Sequence, residues 1–189
     1  MVQFIYDAAA TLNGFIADEH HSLEWLFTVE GGDAPTDELY PSHADVLVMG
    51  AHTYEWVLAH ENMLDDPAKW AEFYGTKTVY VLSSRTLPVP AGAEVRLRNA
   101  SVAEVLPELR AAAEATASQE IWIMGGGDLA GQFFDASALD RIAVSIAPAL
   151  LTSGAPFLPR RIDPDQLRLI GARAVGQFAR LEYAVRAGS

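Results

Sequence analysis

The stretch that most constrains this chain runs from Ile121 to Phe134. Ile121-Trp122-Ile123-Met124 is followed by Gly125-Gly126-Gly127 and then Asp128-Leu129-Ala130-Gly131-Gln132-Phe133-Phe134. The apolar residues predict a buried strand, the glycines a tight turn, and the remainder a helix. Glycine lets a backbone come close to a ligand, and the first N–H groups of a helix have no partner inside it. Together they suit an anion, most often a phosphate. They equally suit a bare strand-to-helix turn. The spacing is not the dinucleotide fingerprint of the doubly wound fold, which needs G-x-G-x-x-G early in a βαβ unit and an acidic residue about 20 positions later. Here the glycines are contiguous and come late in the chain.

Length bounds the architecture: 189 residues suit a single domain, 1–189, with a substantial core. No segment approaches the roughly 18 uninterrupted apolar residues of a membrane span. The start, Met1 to Asp7, lacks the basic opening and cleavage site of a signal peptide, so a cytoplasmic protein is expected. The net charge is −12, and the one adjacent pair of basic residues is Arg160-Arg161. A nucleic-acid partner is therefore not expected, since that function needs a basic face. Cysteine is absent. The histidines His20, His21, His43, His52 and His60 show no metal-ligand spacing with carboxylates on one helix face, so no metal is expected.

Along the chain, Val2 to Ala10 reads as a buried strand, followed by a turn at Asn13-Gly14. Ser22 can cap a short helix from Leu23 to Val29, and Gly31 to Pro35 reads as a loop. Ala44 to Gly50 is the next strand. A helix beginning near Ala51 carries Tyr54, Val57 and Leu58 at helical spacing. Asp65-Asp66-Pro67 opens another helix, which ends at Gly75. Thr76 to Ser84 is a β-branched strand, and Glu94 to Leu97 a short one. Ser101-Val102-Ala103-Glu104 has capping-box spacing before an Ala-rich helix reaching about Thr116. Asp140 to Ala147 reads as a strand and Leu150 to Pro159 as a loop. Leu167–Ala174 and Gln177–Val185 form a hairpin around Gly176. The alternation predicts an α/β fold: a mostly parallel central sheet, helices on both faces and an antiparallel C-terminal hairpin.

In an open α/β sheet, ligands sit at the carboxyl ends of the strands. Three strand ends here are polar or glycine-rich: Gly50-Ala51-His52-Thr53, Ser83-Ser84-Arg85 and Gly125-Gly126-Gly127. Hydroxyls, backbone N–H groups, one Arg and one His suit a phosphorylated ligand.

On these segments the chain resembles the dihydrofolate reductase superfamily. It is most similar to single-domain proteins related to the C-terminal reductase domain of the bifunctional riboflavin-biosynthesis deaminase-reductase. Thr11 to Ala17, Val48 to Glu55, Val81 to Arg85, the glycine stretch and Asp140 to Gly154 carry the likeness, which covers Ala8 to Val185. The resemblance implies a three-layer dihydrofolate-reductase-like fold and a bound nicotinamide dinucleotide, usually NADPH. By position, the backbones of Ala9 and Ile16 would meet the nicotinamide carboxamide. Gly50, His52 and Thr53 would lie at the pyrophosphate, with Gly125, Gly126, Gly127, Asp128 and Leu129 on its other side. Leu82, Ser83, Ser84 and Arg85 would flank the adenosine, Ser83 and Arg85 nearest any 2′-phosphate. Ala51 stands where the family usually has an arginine for that phosphate, which opens the site to NADH.

The same resemblance implies hydride transfer to a small heterocyclic or carbonyl substrate, as in 5-amino-6-(5-phosphoribosylamino)uracil reductase or dihydrofolate reductase. Phe15, Trp25 and Phe27 are the candidate substrate-pocket residues; they suit the core equally. Asp18 and Asn13 are the candidate catalytic residues, and Asp7 and His21 are further candidate proton donors. The carboxylate that holds the pterin in true folate reductases is missing, since His21-Ser22 occupies its place. Arg160 and Arg161 are candidates for a substrate phosphate. No deaminase segment precedes this domain, so the bifunctional enzyme is not expected. A homodimer is plausible from the relatives. Two rival readings stay open: a dinucleotide-binding or regulatory module without turnover, and a phosphate-binding protein that uses the same loops.

Overall fold

The computed structural model describes residues 1–30 and 36–186; the loop read at Gly31 to Pro35 lies outside them. The elements in chain order are β1 (Gln3–Thr11), β2 (Phe15–Ala17), α1 (Glu24–Phe27), β3 (Val46–Gly50), α2 (Ala51–His60), α3 (Ala68–Tyr74), β4 (Thr78–Leu82), β5 (Val95–Arg98), α4 (Val102–Glu114), β6 (Glu120–Gly125), α5 (Gly127–Asp135), β7 (Arg141–Ala147), β8 (Ala155–Pro156), β9 (Leu167–Val175) and β10 (Phe178–Val185). Eight strands form one sheet in the order β5-β4-β3-β6-β1-β7-β10-β9. The first six run parallel; β10 pairs antiparallel with both β7 and β9.

The parallel strands are nearly continuous apolar runs because helices cover both of their faces. Alternate residues divide between two cores. Phe4, Tyr6, Val46, Val48, Ile121 and Ile123 pack with Val105 and Leu109 of α4 and with Ala130 and Phe133 of α5. Leu47, Met49, Val79 and Val81 pack with α2 and α3 through Tyr54, Val57, Leu58 and Trp70. The three buried residues of α2 are the three whose spacing predicts its apolar face. Each such buried side chain contributes roughly 1.5–3 kcal/mol.

Two local features depart from the sequence reading. The α1 helix is a single turn rather than Leu23–Val29; Ser22 Oγ still accepts the Glu24 N–H, at 3.1 Å. The stretch read as a loop between Leu150 and Pro159 contains β8, which pairs with β2 through Phe15–Pro156 and Ala17–Ala155. That small sheet lays the chain against the start of α5. A β-carbon at Gly127 would run into the carbonyl oxygens of Pro156 and Phe157, so only glycine fits there. No described helix is long and apolar enough to cross a membrane.

Candidate functional site

The carboxyl ends of β1, β3, β4 and β6 open into one cavity of about 870 Å³. That lies in the range of ligand pockets, about 300–1,000 Å³. Two helices start at its wall. Helix α2 has Gly50 as N-cap and α5 has Gly126, and neither receives a side-chain cap. Helix α4, which does not line the cavity, is closed by a full capping box: Ser101 Oγ accepts the Glu104 N–H, and the Glu104 carboxylate accepts the Ser101 N–H. The contrast is physical. A helix start without a side-chain cap leaves donors open to an outside acceptor, and its dipole favours an anion. Gly125, with φ +149°, lets the chain turn beside Thr53, whose Oγ1 would press on any β-carbon there.

The cavity gathers most of the residues picked from sequence. Ala9, Ile16, Gly50, His52, Thr53, Leu82, Ser83, Ser84, Gly125, Gly126, Gly127, Asp128 and Leu129 all line it. Arg85 does not. Its guanidinium is held by Glu55, Nη1 to Oε1 at 2.9 Å and Nη2 to Oε2 at 2.7 Å.

The three aromatic residues expected at the substrate lie away from this cavity. Phe15, Trp25 and Phe27 are absent from the cavity wall. Phe27 instead stacks on His60, with centroids 4.9 Å apart, and on Trp56 at 6.0 Å. Phe15 is tied into the β2–β8 pairing. The wall is built by Leu23, Leu26, Trp56, Trp122 and Met124. Trp122 and Met124 had a signal in the sequence: they alternate with Ile121 and Ile123 and so fall on the opposite face of β6.

Asn13 and Asp18 also lie outside the wall. Asn13 ties two loops together; its Nδ2 donates to the Leu151 carbonyl at 2.6 Å and its Oδ1 accepts the Leu151 N–H at 3.2 Å. Asp18 Oδ1 accepts the N–H groups of His20 and Ser22, both at 2.8 Å. Those bonds favour its ionised form, with the Ser22 bond foremost, and hold its carboxyl below the usual range. Arg160 pairs with Asp128 and Asp135, and Arg161 with Asp163.

Asp7 and His21, the other proton-donor candidates, do line the cavity. The His21 ring stacks on His52, centroids 5.4 Å apart and planes 6° apart. Asp7 is 2% exposed and Arg180 5%. Arg180 Nη1 donates to Asp7 Oδ1 at 2.6 Å and Nη2 to Oδ2 at 2.5 Å; Nη1 also reaches Ser145 Oγ and the Leu39 carbonyl, both at 3.1 Å. Burial pushes the Asp7 carboxyl up to about 6, against the opposing pull of Arg180. Among the described residues no three His, Asp or Glu side chains cluster as a metal site would require.

The family model for the RibD C-terminal domain matches residues 3–179. The chain belongs to the RibD C-terminal domain family. A relative in that range is the uncharacterized protein YwjB of Bacillus subtilis, 30% identical over 179 residues and covering 93% of each chain. Among solved structures, a Shewanella sp. PV-4 protein provisionally named for riboflavin biosynthesis superposes with a TM-score of 0.75 at 26% identity. It covers 99% of this chain and 100% of its own. The Thermotoga maritima diaminohydroxyphosphoribosylaminopyrimidine deaminase/5-amino-6-(5-phosphoribosylamino)uracil reductase shares the fold at 16% identity and a TM-score of 0.62; the match spans 97% of this chain and 56% of that one. The dihydrofolate-reductase-like fold expected of a RibD C-terminal domain is the one observed: a mostly parallel sheet, a C-terminal hairpin and, among the described residues, five α-helices.

Proposed function

We propose that this member of the RibD C-terminal domain family is a reductase that uses a nicotinamide dinucleotide to reduce a small heterocyclic or carbonyl substrate, and that it works as one cytoplasmic domain. The carrying observation is the pair of α2 and α5 starts without side-chain caps, facing one cavity from strand ends. They suit a pyrophosphate between them, since each offers unpaired N–H groups and a favourable dipole.

The residues present fit such a group. His52, Thr53 and the Gly125–Leu129 turn would hold the pyrophosphate. Leu82, Ser83 and Ser84 would flank the adenosine, and the backbones of Ala9 and Ile16 would orient the nicotinamide. When bound, the reduced nicotinamide supplies the hydride. Trp122, Trp56 and Leu26 would exclude water from the acceptor. The proton would come from water, Asp7 or His21, because Asp18 is spent on its own loop. Arg85 is engaged by Glu55 and Ala51 carries no charge, so we expect little preference for NADPH over NADH. Strand β9 is an edge with Leu169 and Ile170 exposed, which supports pairing of two copies.

Calorimetric titration with NADPH and NADH tests the reading. Binding of at least one is expected, followed by its oxidation across a panel of pyrimidine, pterin and carbonyl compounds. No heat with either at millimolar concentration refutes it. Tight binding without oxidation across the panel supports a dinucleotide-binding module instead.

A further inference from the structure

Asp7, Glu55 and Asp128 line this cavity, and no Arg or Lys does. Each of those carboxylates is already matched by an arginine: Asp7 by Arg180, Glu55 by Arg85 and Asp128 by Arg160. Residues 31–35 and 187–189 contain neither Lys nor Arg. A pyrophosphate would therefore bring its negative charge to a wall that offers no arginine or lysine to meet it. The groups there that can become positive are His21 and His52, since imidazole ordinarily changes charge between about pH 5 and pH 8. Both residues are exposed. Neither ring enters a side-chain hydrogen bond or ion pair among the described residues; each is stacked on the other, with centroids 5.4 Å apart.

The two positions are not equivalent. His52 lies in the first turn of α2, where the positive end of the helix dipole disfavours a cation. His21 comes from the loop between β2 and α1, with φ 59°, a left-handed conformation that few side chains adopt. The loop holds it there. The His21 N–H donates to the Asp18 carbonyl at 3.1 Å, and Asp18 Oδ1 accepts the N–H groups of the residues on either side, His20 and Ser22. The surrounding charges favour a proton on His21. Asp18 is held ionised by its bonds to Ser22 and His20, and the charges of His20 and His21 act in the same direction. Glu19, next in the loop, accepts from Ser153 Oγ and lies 3.7 Å from His20. Glu24 opens α1. Glu55 on α2, Asp7 on β1 and Asp128 on α5 keep their arginines.

We propose that His21 is the switchable cation of the dinucleotide site: it takes up a proton as the pyrophosphate binds, with the neutral His52 ring as its support, so that affinity falls as pH rises through the imidazole range. This rests on the dinucleotide reading and gives that site its pH regulation. A nearby anion favours the protonated imidazole. A second proton, on His52, would set like charges face to face, so one proton is taken up rather than two.

NADH is the probe for the test, because the 2′-phosphate of NADPH exchanges its own proton near about pH 6. Calorimetric titration of the full chain in buffers of different ionisation enthalpy counts the protons that accompany binding. For an imidazole of ordinary acidity whose proton is held about tenfold more tightly in the complex, about half a proton should be taken up near pH 7, and NADH affinity should fall about sixfold from pH 6 to pH 8. His21→Asn is the decisive variant, since asparagine enters the left-handed region readily and does not titrate. It should bind NADH without proton uptake, with an affinity that stays near the wild-type value of about pH 8 throughout. Circular dichroism checks its fold, and His21→Gly serves the same purpose if Asn perturbs the loop. Wild-type binding without proton uptake, or uptake that survives the substitution, overturns the proposal and leaves the dinucleotide reading in place. No NADH binding overturns it as well, and NADPH then decides the dinucleotide reading separately.

Discussion

Arg85 grips Glu55 with both arms of its guanidinium, joining the end of β4 to the first turns of α2 across 30 positions of sequence. That pair faces solvent, with the two side chains 52% and 38% exposed. It contributes little stability for that reason. On the proposed dinucleotide reading it would matter for the cofactor instead, because it would occupy the cation nearest a 2′-phosphate.

Glu55→Gln should therefore free Arg85. An exposed ion pair is worth about 0.2–1 kcal/mol, so NADPH affinity is expected to rise about threefold relative to NADH. Unfolding free energy should hardly move. Competitive titration of the two dinucleotides measures the ratio. An unchanged ratio would place Arg85 outside the adenosine end of the site.

The strand-to-helix joints were legible because their signals are local. Tyr54, Val57 and Leu58 repeat at helical spacing, and Ser101 and Glu104 stand at capping-box spacing. Their neighbours in space are their neighbours in sequence. The strand ends that surround the cavity could be read for the same reason, since each is a short motif followed by a helix. The apolar side of the cavity was not legible. Phe15, Trp25 and Phe27 are apolar and adjacent to the right elements, but nothing local says which face of a one-turn helix is turned inward. Phe27 is drawn to Trp56 and His60 instead. The partner of Asp7 lies 173 positions away on a strand that only the sheet order brings near. β8 is two residues long and apolar periodicity needs more than that.

The buried ion pair should show strongly unequal single and double substitutions. Asp7→Leu leaves Arg180 charged and buried without its carboxylate, which costs about 3–5 kcal/mol. Asp7→Leu/Arg180→Met removes both charges and should recover most of that loss, because two ions no longer have to leave water. Glu182 keeps Arg141 and Arg173 as partners in either case. Urea unfolding at neutral pH reads both values. A double variant as unstable as the single one would mean that the pair stabilises through packing alone.

The same aspartate carries a pH dependence with a definite sign. Its carboxyl is raised from the ordinary 3.8 to about 6, with burial the largest cause. A carboxyl that binds its proton more tightly in the folded state stabilises the fold at low pH. That contribution is complete below the unfolded value near 3.8 and is lost as pH rises through about 6. Asp7→Asn lacks it, while both proteins keep every other titrating group. The unfolding free energy of the wild type minus that of Asp7→Asn should therefore decline between about pH 4 and pH 6 and level off above. Urea titrations across that interval test it. A difference that grows with pH would show that Arg180 dominates over burial.

Helix α2 offers a way to separate binding from folding. Gly50, its N-cap, has φ −80° and ψ 163°, which any residue can adopt. A β-carbon there meets nothing closer than 3.8 Å. Gly50→Asp would supply the missing cap, and its carboxylate would accept the N–H groups now open to the cavity. Because Asp exceeds Gly as an N-cap by only a few tenths of a kcal/mol, stability should hold or rise slightly. The same carboxylate would oppose a pyrophosphate, so NADPH affinity should fall at least about tenfold. Gly50→Ala adds bulk without charge and should bind NADPH nearly as the wild type does. Calorimetry with thermal unfolding on all three proteins decides the matter: a Gly50→Asp protein that melts normally but binds NADPH undiminished would remove the α2 start from the dinucleotide site.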